Sequence, residues 1–375
     1  MHLQNLDRLH KAFNDLHLEA ALLSHPATLT WLTGYAPPIQ TGPSPFEGGP
    51  ALGWWQGGEL TLILSDAEAS AAQQNDVNTV EYLSYTIEEP IAGMRRQVEA
   101  LRQFLATTPT PKGKVGVEFN FLPASLLSAL KDAFPFSIFQ PLDGAFDALR
   151  AVKTPEEIEK IQAALDLCDL AQQVARQLAQ PGISEIQLWG QLKERLEITA
   201  GGRLPVLADL VAGARTAEIG GLPGLYVLRA GDAVIADIVP RLNGYWGDNA
   251  GTHFVGGEPP AELARAYQVV RAALQRGVEA VRPGLQAGEL DGLLRKEIES
   301  HGYPIYPHHS GHGLGAQYHE EPRIVPYNKM TLEPGMVLAL EPGVYLPGIG
   351  GVRLEDVVLV TSDGHRLLTK HLATE

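Results

Sequence analysis

Among 375 residues there is one cysteine, Cys168. A lone thiol cannot close a disulfide within the chain or build a thiolate zinc site. A disulfide-stapled secreted fold is thereby excluded, and a cytoplasmic protein is expected. Long apolar runs are missing as well. No stretch approaches the roughly 20 consecutive apolar residues of a membrane span. The opening MHLQNLDRLHKAFNDLHLEAALL carries charge throughout, unlike a secretion signal. Positive charge is scarce: 29 lysines and arginines face 44 acidic residues, for a net charge of −15. That balance argues against DNA or RNA as a partner, because phosphate binding needs a basic surface. Core material, by contrast, is plentiful. With 45% hydrophobic and 19% charged residues the chain has no signature of disorder. Its length exceeds the roughly 250–300 residues at which single cores stop growing, so two domains are expected.

The first domain, residues 1–146, reads as α/β. Leu3, Leu6, Leu9, Phe13 and Leu16 follow a helical stripe; LTLIL (60–64) and KVGVE (114–118) read as strands, and FLPASLLSALKDAF (121–134) as a helix. Between 36 and 53 the density of proline and glycine requires a loop, and its length suggests a functional or interface role. The second domain, residues 147–375, opens with a strong helix start. Thr154 can cap, Pro155 suits the first helical position and Glu157 completes a capping box. This domain also carries an internal repeat. PGISEIQLWGQLKERLE (181–197) and PGLQAGELDGLLRKEIE (283–299) align at an offset of 102, matching Pro181 with Pro283, Gly182 with Gly284, Leu188 with Leu290 and Leu192 with Leu294. Each copy follows a long helical stretch and precedes strand-like sequence. Two related halves, each a helix pair and a sheet, are expected.

The acidic residues of interest come after each helix pair. In GDAVIADIVPRLNGYWGDNAGTHF (231–254), AVIADIV reads as a buried strand, Asn243-Gly244 as a hairpin turn and the remainder as a returning strand. Asp237 is expected in the first strand and Asp248 in the second. In GMVLALEPGVYLPGIGGVRLEDVVLV (335–360), Glu341 is expected to end one strand and Glu355 to lie inside the next, with Arg353 on the same face as Glu355. Carboxylates are rarely buried without partners. At about 4 Å and an effective dielectric of about 20, each like-charged pair costs about 4 kcal/mol. Two divalent ions would neutralise four such charges. Between the two carboxylate pairs lies HHSGHGLGAQYHEEP (308–322), with four histidines and neither a helical nor a strand period. Its glycines allow the backbone to turn and bring His312 to the carboxylates. An oxygen-rich set with one imidazole suits a pair of divalent ions: manganese, cobalt or zinc.

With Asp237, Asp248, HxxxHGxGxxxHE (308–320), EPGVY (341–345) and VRLED (352–356) in place, the chain resembles the M24 metallopeptidases of the pita-bread fold, which include Xaa-Pro aminopeptidases, prolidases and methionine aminopeptidases. The resemblance covers most of 150–375. LTWLTGY (29–35) is similar to the creatinase-type N-terminal domain of the Xaa-Pro branch. The implied fold is α+β: a pita-bread C-terminal domain with a pseudo-twofold repeat, preceded by a smaller creatinase-type α/β domain. The implied activity is hydrolysis of the bond between an N-terminal residue and proline, by a dinuclear-metal aminopeptidase or dipeptidase using a metal-bridging water. Carried over by residue, the resemblance makes Asp248 and Glu355 bridges between two metals. Asp237 completes one metal, and His312 with Glu341 the other. It makes Glu341 the general base, His319 the group that stabilises the tetrahedral intermediate and His308 part of the proline-side pocket. Tyr345 and Arg353 stand behind the ligands, Arg353 orienting one of their carboxylates. His309 is read as incidental. The substrate is a small peptide with proline second, and the assembly a homodimer.

Two positions depart from the family pattern. Where a histidine usually precedes a proline, Gly220 stands before Pro223; where Thr-Arg-Thr usually follows the second aspartate, this chain has Ala250-Gly251-Thr252. These departures leave open a divergent C–N hydrolase acting on a small amide or amidine, and a non-catalytic peptide-binding relative.

Overall fold

The computed structural model describes residues 2–39 and 44–370, which fall into two compact units, Met1–Leu149 and Arg150–Glu375. The sequence reading sets the junction three residues earlier, at 146/147. The short helix Asp147–Ala151 runs across both positions.

In the first unit, α1 (Leu3–Asp15), β1 (Leu18–Leu23) and α2 (Pro26–Thr33) lead to β2 (Leu52–Gln56), β3 (Glu59–Ser65), α3 (Asp66–Gln73), β4 (Asn78–Tyr82), α4 (Gly93–Thr107), β5 (Lys114–Val117), α5 (Ala124–Ala133) and β6 (Ile138–Pro141). The six strands form one mixed sheet in the order β4-β3-β2-β1-β5-β6. The leucine stripe of α1 is buried only in its middle: Leu9 and Phe13 are inaccessible, whereas Leu3 is 69% exposed. Of the expected loop at 36–53, residues 40–43 lie outside the described residues. The stretch 44–51 holds an isolated bridge between Ser44 and Gly48, and β2 already begins at Leu52. Glu118, just past β5, is buried; its carboxylate accepts the Ser24 and His25 N–H groups, each at 2.8 Å, and the Thr28 hydroxyl at 2.6 Å. This unit thus ties the end of β5 to the start of α2 with one fully served acid.

The second unit runs from α6 (the junction helix, Asp147–Ala151) through α7 (Pro155–Leu178), α8 (Glu185–Ala200), β7 (Val206–Ala212), β8 (Ala233–Leu242), β9 (Tyr245–Trp246) and β10 (Asn249–Phe254). It then repeats the plan with α9 (Ala261–Ala280), α10 (Ala287–Ser300), β11 (Gly311–Gly313), β12 (Glu320–Ile324), β13 (Val337–Leu340), β14 (Gly343–Leu346), β15 (Gly350–Arg353), β16 (Asp356–Val360) and β17 (His365–Leu367). The Thr154–Glu157 capping box forms as expected. The repeat is visible in the details of α8 and α10. Gly182 and Gly284 both adopt positive φ, and capping boxes join Ser184 to Gln187 and Gln286 to Glu289. The N–H groups of Gly182 and Gly284 donate to the carbonyls of Leu228 and Leu332, at 2.9 and 3.0 Å.

Each sheet has one face on its own helix pair. From β8, Val234, Ala236 and Ile238 pack with Ala171 of α7 and Leu192 of α8; Ala233 and Ile235 join the core of the second half. Strand alternation puts Asp237 on the Ile235 face, turned from the first helix pair. In the second half, Leu338 and Leu340 of β13 and Val358 and Val360 of β16 pack with α9 and α10. The register His312–Ala339–Val357 therefore lies on the opposite face, which Glu341 and Glu355 share by the same period of two. Each fully buried aliphatic chain contributes about 1.5–3 kcal/mol. The two cores can therefore hold facing sheets whose acidic surfaces alone would drive them apart.

Candidate metal centre

Local chain breaks deliver the acids. Asp248 does not sit inside a strand as expected. It falls in a two-residue gap between β9 and β10, opposite Val239 and Pro240, where proline has no N–H to complete the ladder. Gly247 still donates to the Pro240 carbonyl at 2.8 Å. The second hairpin is also not continuous. β13 pairs with β16 and β14 with β15, in two separate sheets. Pro342 interrupts one arm, so Glu341 lies in the break at 341–342 and Glu355 in the break at 354–355 rather than inside a strand. The backbone at Glu355 is pinned across the halves: its N–H donates to the Ala250 carbonyl at 2.9 Å, and the Asn249 amide donates to its carbonyl at 2.7 Å.

His312 comes from β11, wedged between β12 and β13. A Cβ at Gly311 would lie 2.0 Å from the Ala339 carbonyl oxygen, and one at Gly313 2.2 Å from that of Glu321, so only glycine fits on either side. Nδ1 of His312 lies 3.0 Å from the Gly313 carbonyl. A carbonyl only accepts, so Nδ1 carries the proton and the lone pair is on Nε2. Nε2 points at Asp248 Oδ2 (3.5 Å) and Glu341 Oε1 (3.7 Å).

Among the described residues, two groups of candidate ligand atoms lie mutually within 4.8 Å: Asp237, Asp248 and Glu355, and Asp248, His312 and His319. Asp248 is common to both. Glu341 is in neither, its carboxylate lying 3.1 Å from His309 Nδ1 without hydrogen-bond alignment. His309, read from sequence as incidental, is thus a neighbour of Glu341. All five carboxylate and imidazole candidates, together with His308, His319 and Arg353, line one cavity of about 690 Å³. Tyr345 stands behind it, its hydroxyl donating to His308 Nε2 at 2.9 Å while His308 Nδ1 donates to the His309 carbonyl at 2.7 Å.

The electrostatics separate these residues. Burial raises Asp248 and Glu355 well above the ordinary carboxylate range, and the neighbouring charge of Asp237 adds to the first and that of Asp248 to the second. Asp237 is pushed up to about 6 by burial, although Arg353 Nη2 donates to its Oδ2 at 2.7 Å. Burial would also raise Glu341, but His309, His312 and Arg353 draw it down to about 2. Burial lowers His312 to about 4 and His319 to about 3, so both rings are neutral at neutral pH. Both oxygens of Glu355 and Oδ1 of Asp237 are buried without a hydrogen-bond partner among the described residues. Unserved carboxylate oxygens, linked through Asp248 to a neutral imidazole lone pair, fit divalent cations. Protein interiors do not otherwise retain such atoms at a cost of about 1–3 kcal/mol or more each.

The two departures from the family pattern each have a local counterpart. A Cβ at Gly251 would lie 2.4 Å from Gln172 Oε1, and Gln172 spans the carbonyls of Ala236 and Asn249. A Cβ at Gly220 would lie 2.2 Å from Asp209 Oδ2. Asp209, which sequence reasoning passed over, lines the same cavity. Its neighbour Ile219 holds φ at 77°, a strained value for a β-branched residue, with its carbonyl accepting from Arg353.

The family model for Metallopeptidase family M24 matches residues 159–362, and that for the Creatinase/Prolidase N-terminal domain matches 5–152. The chain is 30% identical over 369 residues to the Xaa-Pro dipeptidase of Pyrococcus furiosus, covering 98% of each chain. It is 30% identical to the Xaa-Pro dipeptidase of Lactobacillus helveticus, over 97% of this chain and 96% of that one. Among solved structures, the Xaa-Pro dipeptidase from Bacillus anthracis superposes with a TM-score of 0.82 at 29% identity, covering 98% of this chain and 97% of that one.

Proposed function

The chain belongs to metallopeptidase family M24, with a creatinase/prolidase N-terminal domain, and from that premise we propose that it removes an N-terminal residue from proline in small peptides, using two divalent cations. The observation that carries this reading is the buried oxygens of Glu355 and Asp237, without a hydrogen-bond partner among the described residues and grouped with Asp248, whose Oδ2 in turn lies 3.5 Å from the Nε2 lone pair of His312. Asp248, which belongs to both ligand groups, would serve both cations, with Glu355 beside it. Asp237 would complete one cation site, and His312 with Glu341 the other. Manganese, cobalt or zinc bound here would polarise the scissile carbonyl and acidify water.

The remaining roles belong to the chain itself. Glu341, fully ionised at neutral pH, accepts the proton of the water that attacks the carbonyl carbon. His319, neutral and half-buried, donates an N–H to the oxyanion of the tetrahedral intermediate. His308 is held in one tautomer between Tyr345 and the His309 carbonyl, and its ring stacks on Tyr306 with centroids 4.8 Å apart. It presents a fixed wall to the proline ring. Arg353 orients Asp237. Family resemblance adds a homodimer, and the single buried cysteine accords with the cytoplasm. Gln172 and Asp209 fill the room left at Gly251 and Gly220, so neither departure favours a small amide over a peptide.

The test is hydrolysis of Xaa-Pro dipeptides and longer Xaa-Pro-Yaa peptides by purified protein loaded with Mn²⁺, Co²⁺ or Zn²⁺, reading release of the first residue. Release that disappears on chelation and returns with metal is expected. Cleavage of neither peptide class by any metal form would overturn the reading.

A further inference from the structure

The cavity contains one acidic group that the ligand set does not use. Asp209 of β7 lies directly opposite Asp237 of β8 in the antiparallel register, and opposed residues project from the same face. Its side chain is 41% exposed against 15% for Asp237, so it faces the open side of the cavity. Oδ1 accepts the Gly221 N–H at 3.0 Å. Oδ2 faces Gly220, where any Cβ would come within 2.2 Å, and Arg353 Nη2 lies 3.6 Å away, beyond hydrogen-bond length. The surrounding wall is apolar: Ile186, Leu207 and Leu222 line it.

The charge count points the same way. Two divalent cations balance the four ligand carboxylates, which leaves Arg353 and Asp209 to balance each other. Without Asp209, Arg353 would repel any positive group brought to the reacting carbonyl. The proposed substrate must bring one, because its N-terminal nitrogen lies two bonds, about 2.5 Å, from the scissile carbonyl carbon. We propose that Asp209 receives the N-terminal ammonium of the peptide, making it the residue that selects substrates with a free amino terminus. Asp209 Oδ2 can take this position because residue 220 is glycine. This inference rests on the peptidase reading above and adds a specificity residue to it.

The experiment compares alanyl-proline with its des-amino analogue propionyl-proline, on the metal-loaded full chain. Rates are read, or inhibition constants where the analogue is not turned over. Wild-type protein should favour the free amine. In Asp209→Asn, kcat/KM for alanyl-proline should fall by about tenfold or more, chiefly through KM, in line with loss of a charge-assisted hydrogen bond. Propionyl-proline should change less than about twofold on the same reasoning. Asp209→Glu should recover part of the preference. Gly220→Ala, which displaces Oδ2, should lower it independently, and this variant carries the readout if Asp209→Asn is unstable. Metal content and melting temperature, measured in parallel, separate loss of selection from loss of fold. An amine preference retained by both Asp209→Asn and Gly220→Ala would overturn the assignment alone, as would wild-type protein that treats the two compounds alike. Wild-type protein that cleaves no Xaa-Pro peptide would overturn the peptidase reading, and this inference with it.

Discussion

Glu118 in the first unit and Glu355 in the second are equally hidden from solvent, at 3% and 1% exposure, yet they are served in opposite ways. The Glu118 carboxylate accepts three donors from Ser24, His25 and Thr28. Neither oxygen of Glu355 has one among the described residues. Glu320 gives a third case, buried with Lys153 Nζ at 3.0 Å and Arg150 Nε at 3.3 Å. The chain is thus able to satisfy a buried glutamate with dipoles or with its own cations. At Glu355 it does neither, and neighbouring Asp237 and Asp248 increase the repulsion. Two of these acids stabilise their surroundings, and the third is left for something that arrives from outside.

The contrast can be broken at each of its members. Glu355→Gln should lower peptidase activity by about a thousandfold or more, about 4 kcal/mol of barrier. Urea titration of the metal-free variant should show stability equal to or above that of the metal-free parent, since an unpartnered buried charge is gone. A matching loss of stability would remove Glu355 from the unserved class. Glu320→Gln should have the reverse profile. It leaves Arg150 and Lys153 competing for an amide and should cost about 3 kcal/mol of folding stability. Glu118→Leu should cost about 2 kcal/mol, because Ser24, His25 and Thr28 lose their acceptor; metal affinity, read by calorimetry, should not move.

The smallest effect concerns pH. Burial raises Asp248 and Glu355 in the metal-free protein, so these groups favour the fold while protonated and lose that contribution as pH rises. The depressed histidines act oppositely, but only below their ordinary value of 6.5, above which they are neutral folded or unfolded. Above about pH 6.5, where the histidines are neutral, the melting temperature of metal-free protein should therefore fall as Asp248 and Glu355 ionise, while saturating metal removes the slope. A metal-free melting temperature that rises with pH above about 6.5 would contradict the unserved state of these acids.

Much of the site was legible from local pattern. Asp237, His312 and Glu355 share faces dictated by a period of two, and Gly311 and Gly313 announced the tight passage of β11. What local pattern missed depends on pairing between distant segments. Asp209 meets Asp237 only through the β7–β8 register, 28 residues apart in sequence. Nothing in its neighbourhood of LADLV signals a site. His309 looked incidental because its importance lies in Glu341 turning toward it. The breaks at 247–248, 341–342 and 354–355 were hidden because continuous apolar runs read as unbroken strands. Pro240 and Pro342 were the available cues, each removing a ladder donor where an acid is released. The departures at Gly220 and Gly251 were visible, but not Asp209 and Gln172 standing in the space they open.

Elemental analysis of the full chain, stripped with chelator, reloaded with Mn²⁺ or Zn²⁺ and dialysed, tests the central claim most directly. About two ions per chain are expected for the parent protein, following the charge balance of four carboxylates, and Asp248→Asn should lose both because it serves both groups. A parent protein that keeps no ion above the level of Asp248→Asn would show that these buried acids tolerate one another without metal, and the account would fail.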